Sequence, residues 1–180
     1  MTTIAGIQHL GYCEIWVDSR ITAPDGQIYS HPDMKKYAKR GQLIIAGSGE
    51  VVPCDIAQKI WNPPVATEGD KKNPYKYMIT KAMPSLRKVL TDNGYNFDES
   101  KDKDDIRFQF IIAFNGELFD IDQDLAVSRD VHGFYGAGSG GSYALGALYA
   151  GADGEEALEI AAKINMHTAP PFYSITQYKN

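Results

Sequence analysis

Hydrophobic positions in the first fifty residues fall in short blocks. "TIAGI" and "YCEIWV", within Thr3 to Val17, read as two strands joined at His9-Leu10-Gly11, where the glycine suits a tight hairpin turn. "SRITAPDGQIYS" carries P-D-G, a turn in which Pro pre-sets φ and Gly supplies a positive one. "GQLIIAG" is a continuous apolar block between glycines and predicts a buried strand. The period then lengthens. "VVPCDIAQKIW" predicts a helix starting after Pro53 and ending before "NPP", because Pro63 and Pro64 cannot continue it. Val65 to Pro74 reads as a polar loop. Across "YKYMITKAMPSLRKVLTDNGY", Tyr77, Ile79, Met83, Leu86 and Leu90 share one helical face, with Pro84 expected to kink or split the helix.

The second half opens on a charge run, "DESKDKDD", expected to be a solvated loop. "IRFQFIIAF-NG-ELFDID" follows, two β-rich runs around Asn115-Gly116, the pair favoured in type I′ hairpins. The glycine-rich "FYGAGSGG" leads into a small-residue helix, "SYALGALYAG", closed by Gly151. Asp153 caps another helix with Glu156 three residues on, and Ala157, Leu158, Ala161 and Ile164 form its buried side. "PFYSITQY" is the last strand. Antiparallel hairpins with segregated helices indicate an α+β fold. With no internal repeat and no evident linker, residues 1–180 are expected to form one domain.

Composition narrows the function classes. A chain that is 43% hydrophobic and 23% charged is ordinary for a globular protein. A net charge of −5 argues against nucleic-acid or anionic-membrane partners, and no run of 18 apolar residues predicts a membrane span. Without a signal-peptide pattern, the expected location is cytoplasmic. Cys13 and Cys54 form no C-x-x-C pair and are expected to be buried and structural; His9, His31, His132 and His167 are scattered, so neither metal nor cofactor is expected. "GAGSGGSYALGALYAG" lacks the lysine of a P-loop and the acidic partner of a dinucleotide fingerprint, so close strand–helix packing is the better reading.

That leaves the chain start, "MTTIAG". Thr2 is small enough for methionine aminopeptidase to remove Met1. The exposed α-amine, with an ordinary pKa near 7.7–8.0, can take the proton from its own residue's hydroxyl. A nearby Lys would favour the alkoxide, a carboxylate would hold that Lys, and backbone N–H groups of a glycine turn would bind the developing oxyanion.

The opening "TTIAGI" followed by "VDSRITA", with "GAGSGGSYALGALYAGADGEEALEIAAKI" toward the end, resembles the proteasome β-subunit superfamily of N-terminal nucleophile (Ntn) hydrolases, which includes bacterial HslV-type peptidases, and within it the short proteasome-like peptidases of bacteria and their phages. The resemblance covers about residues 2–50 and 105–178. It implies a four-layer αββα sandwich of two antiparallel sheets and a threonine peptidase. Thr2 is similar to the family's nucleophile, Asp18 to the carboxylate beneath it at the family's spacing, and Arg20 to its structural arginine. The essential lysine lies in "MKKYAKR". Lys-Lys-hydrophobic relatives favour Lys36, while counting back from the glycines favours Lys35; strand alternation lets only one face Thr2, and Lys36 ranks first. "AGSGE" resembles the oxyanion loop, with Gly47 or Gly49 as donor, and Ser139 the serine near the terminal amine. Thr168 fits a Ser/Thr position, but Asn165 stands where many relatives have Asp, and an amide supplies no negative charge. The resemblance further implies peptide or unfolded-protein substrates, a homo-oligomeric ring and an ATP-dependent unfoldase partner. The sequence carries no evident pro-segment, so only Met1 is expected to leave. The alternatives are a catalytically silent structural subunit of a ring, or an Ntn amidohydrolase acting on a small non-peptide amide.

Overall fold

The computed structural model describes residues 2–23, 25–29, 31–97 and 107–180. Met1 and the "DESKDKDD" run lie outside the described residues. The chain opens with β1 (Thr3–His9), β2 (Tyr12–Val17), the short hairpin β3 (Ile21–Thr22) and β4 (Ile28–Tyr29), then β5 (Tyr37–Arg40) and β6 (Leu43–Gly49). A helical stretch follows: α1 (Val51–Asp55), α2 (Glu68–Lys72), α3 (Pro74–Tyr77) and α4 (Met83–Asp92). Next come β7 (Phe108–Phe114), β8 (Glu117–Ile121), β9 (Val127–Ser128) and β10 (Phe134–Gly138), then α5 (Gly141–Tyr149), α6 (Gly154–Ile164) and β11 (Tyr173–Tyr178).

Two antiparallel sheets face each other. One has the order β10-β1-β2-β11 and the other β5-β6-β7-β8-β9. Between them pack Ile4, Ile15, Val17, Ile44, Ala46 and Ile111. The alternate residues point outward to helices. Ala5 and Ile7 meet Ala144, Leu148, Leu158 and Ala161 of α5 and α6. Leu43, Ile45, Phe110 and Ile112 meet Ile56, Tyr77, Leu86 and Leu90 on the other side. The result is an α+β, four-layer αββα sandwich. Both faces of β6 and β7 are covered, which is why their sequences read as unbroken apolar runs rather than as alternation. No helix among the described residues is long and apolar enough to cross a membrane.

Local chemistry sets the corners. Asn115 (φ 52°) and Gly116 (φ 77°) both take the left-handed backbone that a type I′ turn requires, and the register Phe114↔Glu117 closes the hairpin. Asp153 and Glu156 form a reciprocal capping box at the start of α6.

Elsewhere the structure departs from the expected pattern. The first helix begins at Val51, before Pro53, because Pro is tolerated in a first turn whose N–H groups have no intrahelical partner. It continues from Ile56 to Ile60 in wider turns, with Trp61 N–H donating to the Ile56 carbonyl at 2.9 Å. The expected loop from Val65 to Pro74 contains α2, started by a Thr67–Asp70 capping box. Pro84 does not split the following helix. It occupies the first turn of α4, and Met78–Ala82 supply the wider i→i+5 turns that join α3 to α4. That widening rotates the buried face onto Met78 and Ala82 and leaves Ile79 45% exposed. Ile164, at the last turn of α6, is 59% exposed, while Ala157, Leu158 and Ala161 are buried.

Gly154 at the start of α6 has no room for a side chain, since a Cβ there would collide with the indole of Trp16. Alanine is a better helix former than glycine by about 1 kcal/mol, but overpacking costs about 1–3 kcal/mol. Gly154→Ala is therefore expected to lower the denaturation midpoint, as measured by urea unfolding.

Candidate functional site

The strand registers bring distant residues to one end of the sandwich. Because β1 and β2 are antiparallel with Ile4 opposite Val17, the start of β1 lies beside Asp18. Thr3 pairs with Gly138, so the end of β10 arrives on the other flank of β1. On the facing sheet, Tyr37 opposite Ala46 places Lys36 beside Gly47. The segment after α6 closes the group, with Thr168 against Thr3.

Asp18 is the hub. It has no solvent exposure, and its carboxylate accepts from four donors. Oδ1 takes the Thr3 N–H at 2.8 Å and the Lys36 ammonium at 2.7 Å. Oδ2 takes the Arg20 N–H at 3.1 Å and the Ala169 N–H at 3.4 Å. Lys36, 8% exposed, also donates to the Arg20 carbonyl at 2.5 Å. Burial holds the Lys36 ammonium below its ordinary pKa of 10.5, against the opposing pull of Asp18. Lys35 points away from this pair: its ammonium lies over the rings of Tyr173 (5.2 Å) and Tyr37 (5.9 Å). Arg20 ties the neighbouring loop, its guanidinium donating to the Met166 carbonyl at 2.5 Å.

Thr2 and Thr3 have different surroundings. The Thr3 hydroxyl is buried and shares a 2.5 Å hydrogen bond with Thr168. Thr2 instead lines a cavity of about 130 Å³ together with Lys36, Gly47, Ser48, Gly49 and Cys54. The "GAGSGG" glycines make room for this arrangement. Gly138 sits at φ 81°, and a Cβ there would strike the Thr2 carbonyl; at Gly140 it would strike the Thr3 hydroxyl. Close packing accounts for both.

The remaining candidates sit at the margins. The Gly47 N–H donates to the Lys36 carbonyl at 3.2 Å, and the Glu50 N–H points the other way, to Arg107 on the β7 side at 2.7 Å. Strand alternation therefore aims the Gly49 N–H to the same side as that of Gly47, past the start of β5. Ser139 is exposed and engaged through its carbonyl, which accepts from Asn165 Nδ2 at 2.8 Å. Asn165 Oδ1 accepts the His167 N–H at 2.8 Å and the Thr168 hydroxyl at 3.4 Å. This geometry uses both ends of an amide, and a carboxylate would face the Ser139 carbonyl with no donor. Among the described residues no group of three or more His, Cys, Asp or Glu is placed to hold a metal.

Sequence reasoning missed Thr3, Gln58 and the position of Cys54. Gln58 donates to the Lys36 carbonyl at 3.1 Å from the first helix. Cys54, expected to be buried, is half-buried and forms part of the cavity wall. Neither carries a local signal: a glutamine or cysteine in an apolar helix looks the same whether it faces a core or a cavity.

No family model matches the chain, and no curated protein matches it in sequence. Solved structures do match. Thiobacillus denitrificans BPH superposes with a TM-score of 0.72 at 20% identity, covering 99% of this chain and 98% of that one. The same protein in complex with epoxomicin gives 0.72 at 19% identity, covering 99% of each chain. HslV from Trypanosoma brucei gives 0.63 at 16% identity, covering 98% and 99%. The chain has the proteasome–HslV fold. The match runs nearly end to end, so the helical middle of the chain, whose sequence resembles the family least, also follows the proteasome–HslV layout.

The Asp18–Lys36 pair yields a prediction. Removing one partner of a buried pair leaves an uncompensated charge, at about 3–5 kcal/mol. Lys36→Met and Asp18→Asn are each expected to destabilise the fold by that order, and the double variant by clearly less than the sum. The sign with pH follows from the lowered Lys36 pKa. Between its folded midpoint and 10.5 the unfolded chain binds more protons, so the Lys36 contribution rises with pH there. Lys36→Met lacks that rise, and urea midpoints across the alkaline range measure the difference.

Proposed function

We propose that the chain is a threonine-type Ntn hydrolase that cleaves peptide bonds, working as a single domain over residues 1–180 in a cytoplasmic homo-oligomeric ring. The observation that carries this reading is the cavity shared by Thr2 and Lys36, with Asp18 holding Lys36 from beneath at 2.7 Å. The fold shared with HslV and with an epoxomicin-binding BPH supports it. Loss of Met1 frees the Thr2 amine. As Thr2 Oγ bonds to the scissile carbonyl carbon, its proton passes to that amine, and the carbonyl oxygen becomes an oxyanion that takes the N–H of Gly49, because the Gly47 N–H is already given to the Lys36 carbonyl. The C–N bond then breaks, the amine gives its proton to the departing amine, and an ester remains on Thr2. Water adds to the ester carbonyl as the α-amine takes its proton, the C–Oγ bond breaks, that proton returns to Thr2 Oγ, and the acid product leaves.

Lys36 stays beside the nucleophile as a cation fixed by Asp18, favouring the alkoxide-like transition state. Ser139, Thr168 and Asn165 shape the loop around Thr3, and Arg20 braces the segment that carries Asp18. An ATP-dependent unfoldase would supply extended chains to such a ring. A silent ring subunit is the second reading, favoured by the amide of Asn165, which donates to the Ser139 carbonyl where many relatives would present a carboxylate.

Intact mass and hydrolysis of fluorogenic peptides test the proposal. Purified protein is expected to lack Met1 and to turn over peptides. Thr2→Ala is expected to lose activity to background, and Lys36→Ala to lose at least about a hundredfold. Complete retention of Met1 in a folded, inactive sample would overturn it.

A further inference from the structure

The end of β6 is held from one side. Among the described residues, β5 runs beside it only as far as Tyr37 opposite Ala46, whereas β7 continues to Phe108 opposite Gly49. Glu50 extends the contact with β7, its N–H donating to the Arg107 carbonyl at 2.7 Å. Alternation along the strand turns the Gly49 N–H to the open side. Gly49 is exposed and sits at φ 102°, and a Cβ there would strike the same Arg107 carbonyl. Gly47 and Gly49 leave this strand end with wide backbone freedom. An N–H that is to meet an oxyanion needs a fixed direction instead.

Two side chains supply that restraint. Glu50 stands at the start of α1, where Ser, Thr, Asp or Asn would cap the helix, yet its carboxylate makes no capping bond. It turns to Arg107 and accepts from Nε and from Nη2, each at 2.9 Å. Such two-pronged pairing fixes both distance and plane. Arg107 is itself anchored. Its guanidinium lies 4.9 Å from the centre of the Tyr95 ring, and its backbone N–H donates to Gln123 Oε1 at 2.8 Å. Tyr95 is buried and meets Phe108 edge-on. Arg107 is thus tied to the helical core, and Glu50 is tied to Arg107.

Resting on the peptidase reading, we propose that Glu50 and Arg107 are positioning residues for the oxyanion: the pair clamps the end of β6 to β7 and so fixes the direction of the Gly49 N–H. Neither side chain touches the substrate. The carbonyl oxygen gains its negative charge only as Thr2 Oγ bonds to carbon, so the clamp acts on the transition state more than on the bound substrate. Its loss therefore lowers kcat and leaves KM nearly unchanged. Because Glu50 is exposed, the ion pair adds little to global stability.

Kinetics on fluorogenic peptides and crystallography of the variants test this together. Deleting an oxyanion donor outright costs about 10²–10³ in kcat, and loosening one by Glu50→Ala is expected to cost about tenfold, with KM and the urea midpoint nearly unchanged. Arg107→Lys keeps the charge but loses the fork, and is expected to lower kcat similarly. The double variant is expected to be no worse than Glu50→Ala, since the two residues act as one unit. Glu50→Gln keeps the volume and one acceptor, gives a smaller loss, and stands in if Glu50→Ala folds poorly. A peptide boronate reads the same interaction at equilibrium: Thr2 Oγ adds to boron, its proton passes to the α-amine, and one boron-bound hydroxyl takes the oxyanion position. Its affinity is expected to fall by the same factor as kcat. The Gly49 peptide is expected in one orientation in the parent crystal and in several in Glu50→Ala. Unchanged kcat in an active Glu50→Ala protein, or a Gly49 peptide as well ordered there as in the parent, would overturn the inference. A disordered Gly49 peptide in Glu50→Ala, beside a parent protein that hydrolyses nothing, would count against the peptidase reading alone.

Discussion

The structure of the site depends on one buried carboxylate. Asp18 has no exposure and is satisfied by three backbone N–H groups and one ammonium. Those donors come from β1, from the turn after β2, from the segment after α6 and from the residue before β5. A single charge therefore fixes the relative positions of segments far apart in sequence and carried by both sheets. Burying an ion pair gives little net stability against an apolar pair of similar volume. In the proposed mechanism that charge holds Lys36 at the cavity lined by Thr2.

The sandwich makes this hub possible by covering both faces of each sheet. Ile4, Val17, Ile44 and Ala46 press the sheets together directly behind the site. With the backbone held there, Thr2 and Thr3 divide their roles: the Thr3 hydroxyl locks into Thr168, which anchors the chain, while Thr2 is left lining the cavity. Gly138 and Gly140 permit that close approach, since a side chain at either would push the first residues out of place. The small residues of α5 and α6 let these helices sit close on β1 from the outside.

Much of this was legible from local sequence. Asn115-Gly116, the Asp153 capping box and the first hairpin each rest on backbone rules acting within a few residues, and each formed where expected. The choice between Lys35 and Lys36 could not be made from local rules, because it depends on which side of the chain faces Asp18 as β5 begins. Ile79 misled because an ideal helical period was assumed through Met78–Ala82, where wider turns rotate the face. The short α2 was hidden in a polar stretch whose only signal was its Thr67–Asp70 cap. Cys54 and Gln58 acquire meaning only once the first helix is packed beside β6, which no periodicity reveals.

The central claim is that one residue supplies both nucleophile and base. An epoxyketone presents two electrophilic carbons, so a hydroxyl and an amine on the same residue can both bond to it. Epoxomicin is therefore a direct reporter, read by crystallography of the treated protein. The account predicts continuous density joining the inhibitor to both Oγ and the α-nitrogen of Thr2, with Lys36 still paired to Asp18. Attachment at Cys54, or an untouched Thr2 in a protein whose Met1 is gone, would contradict it.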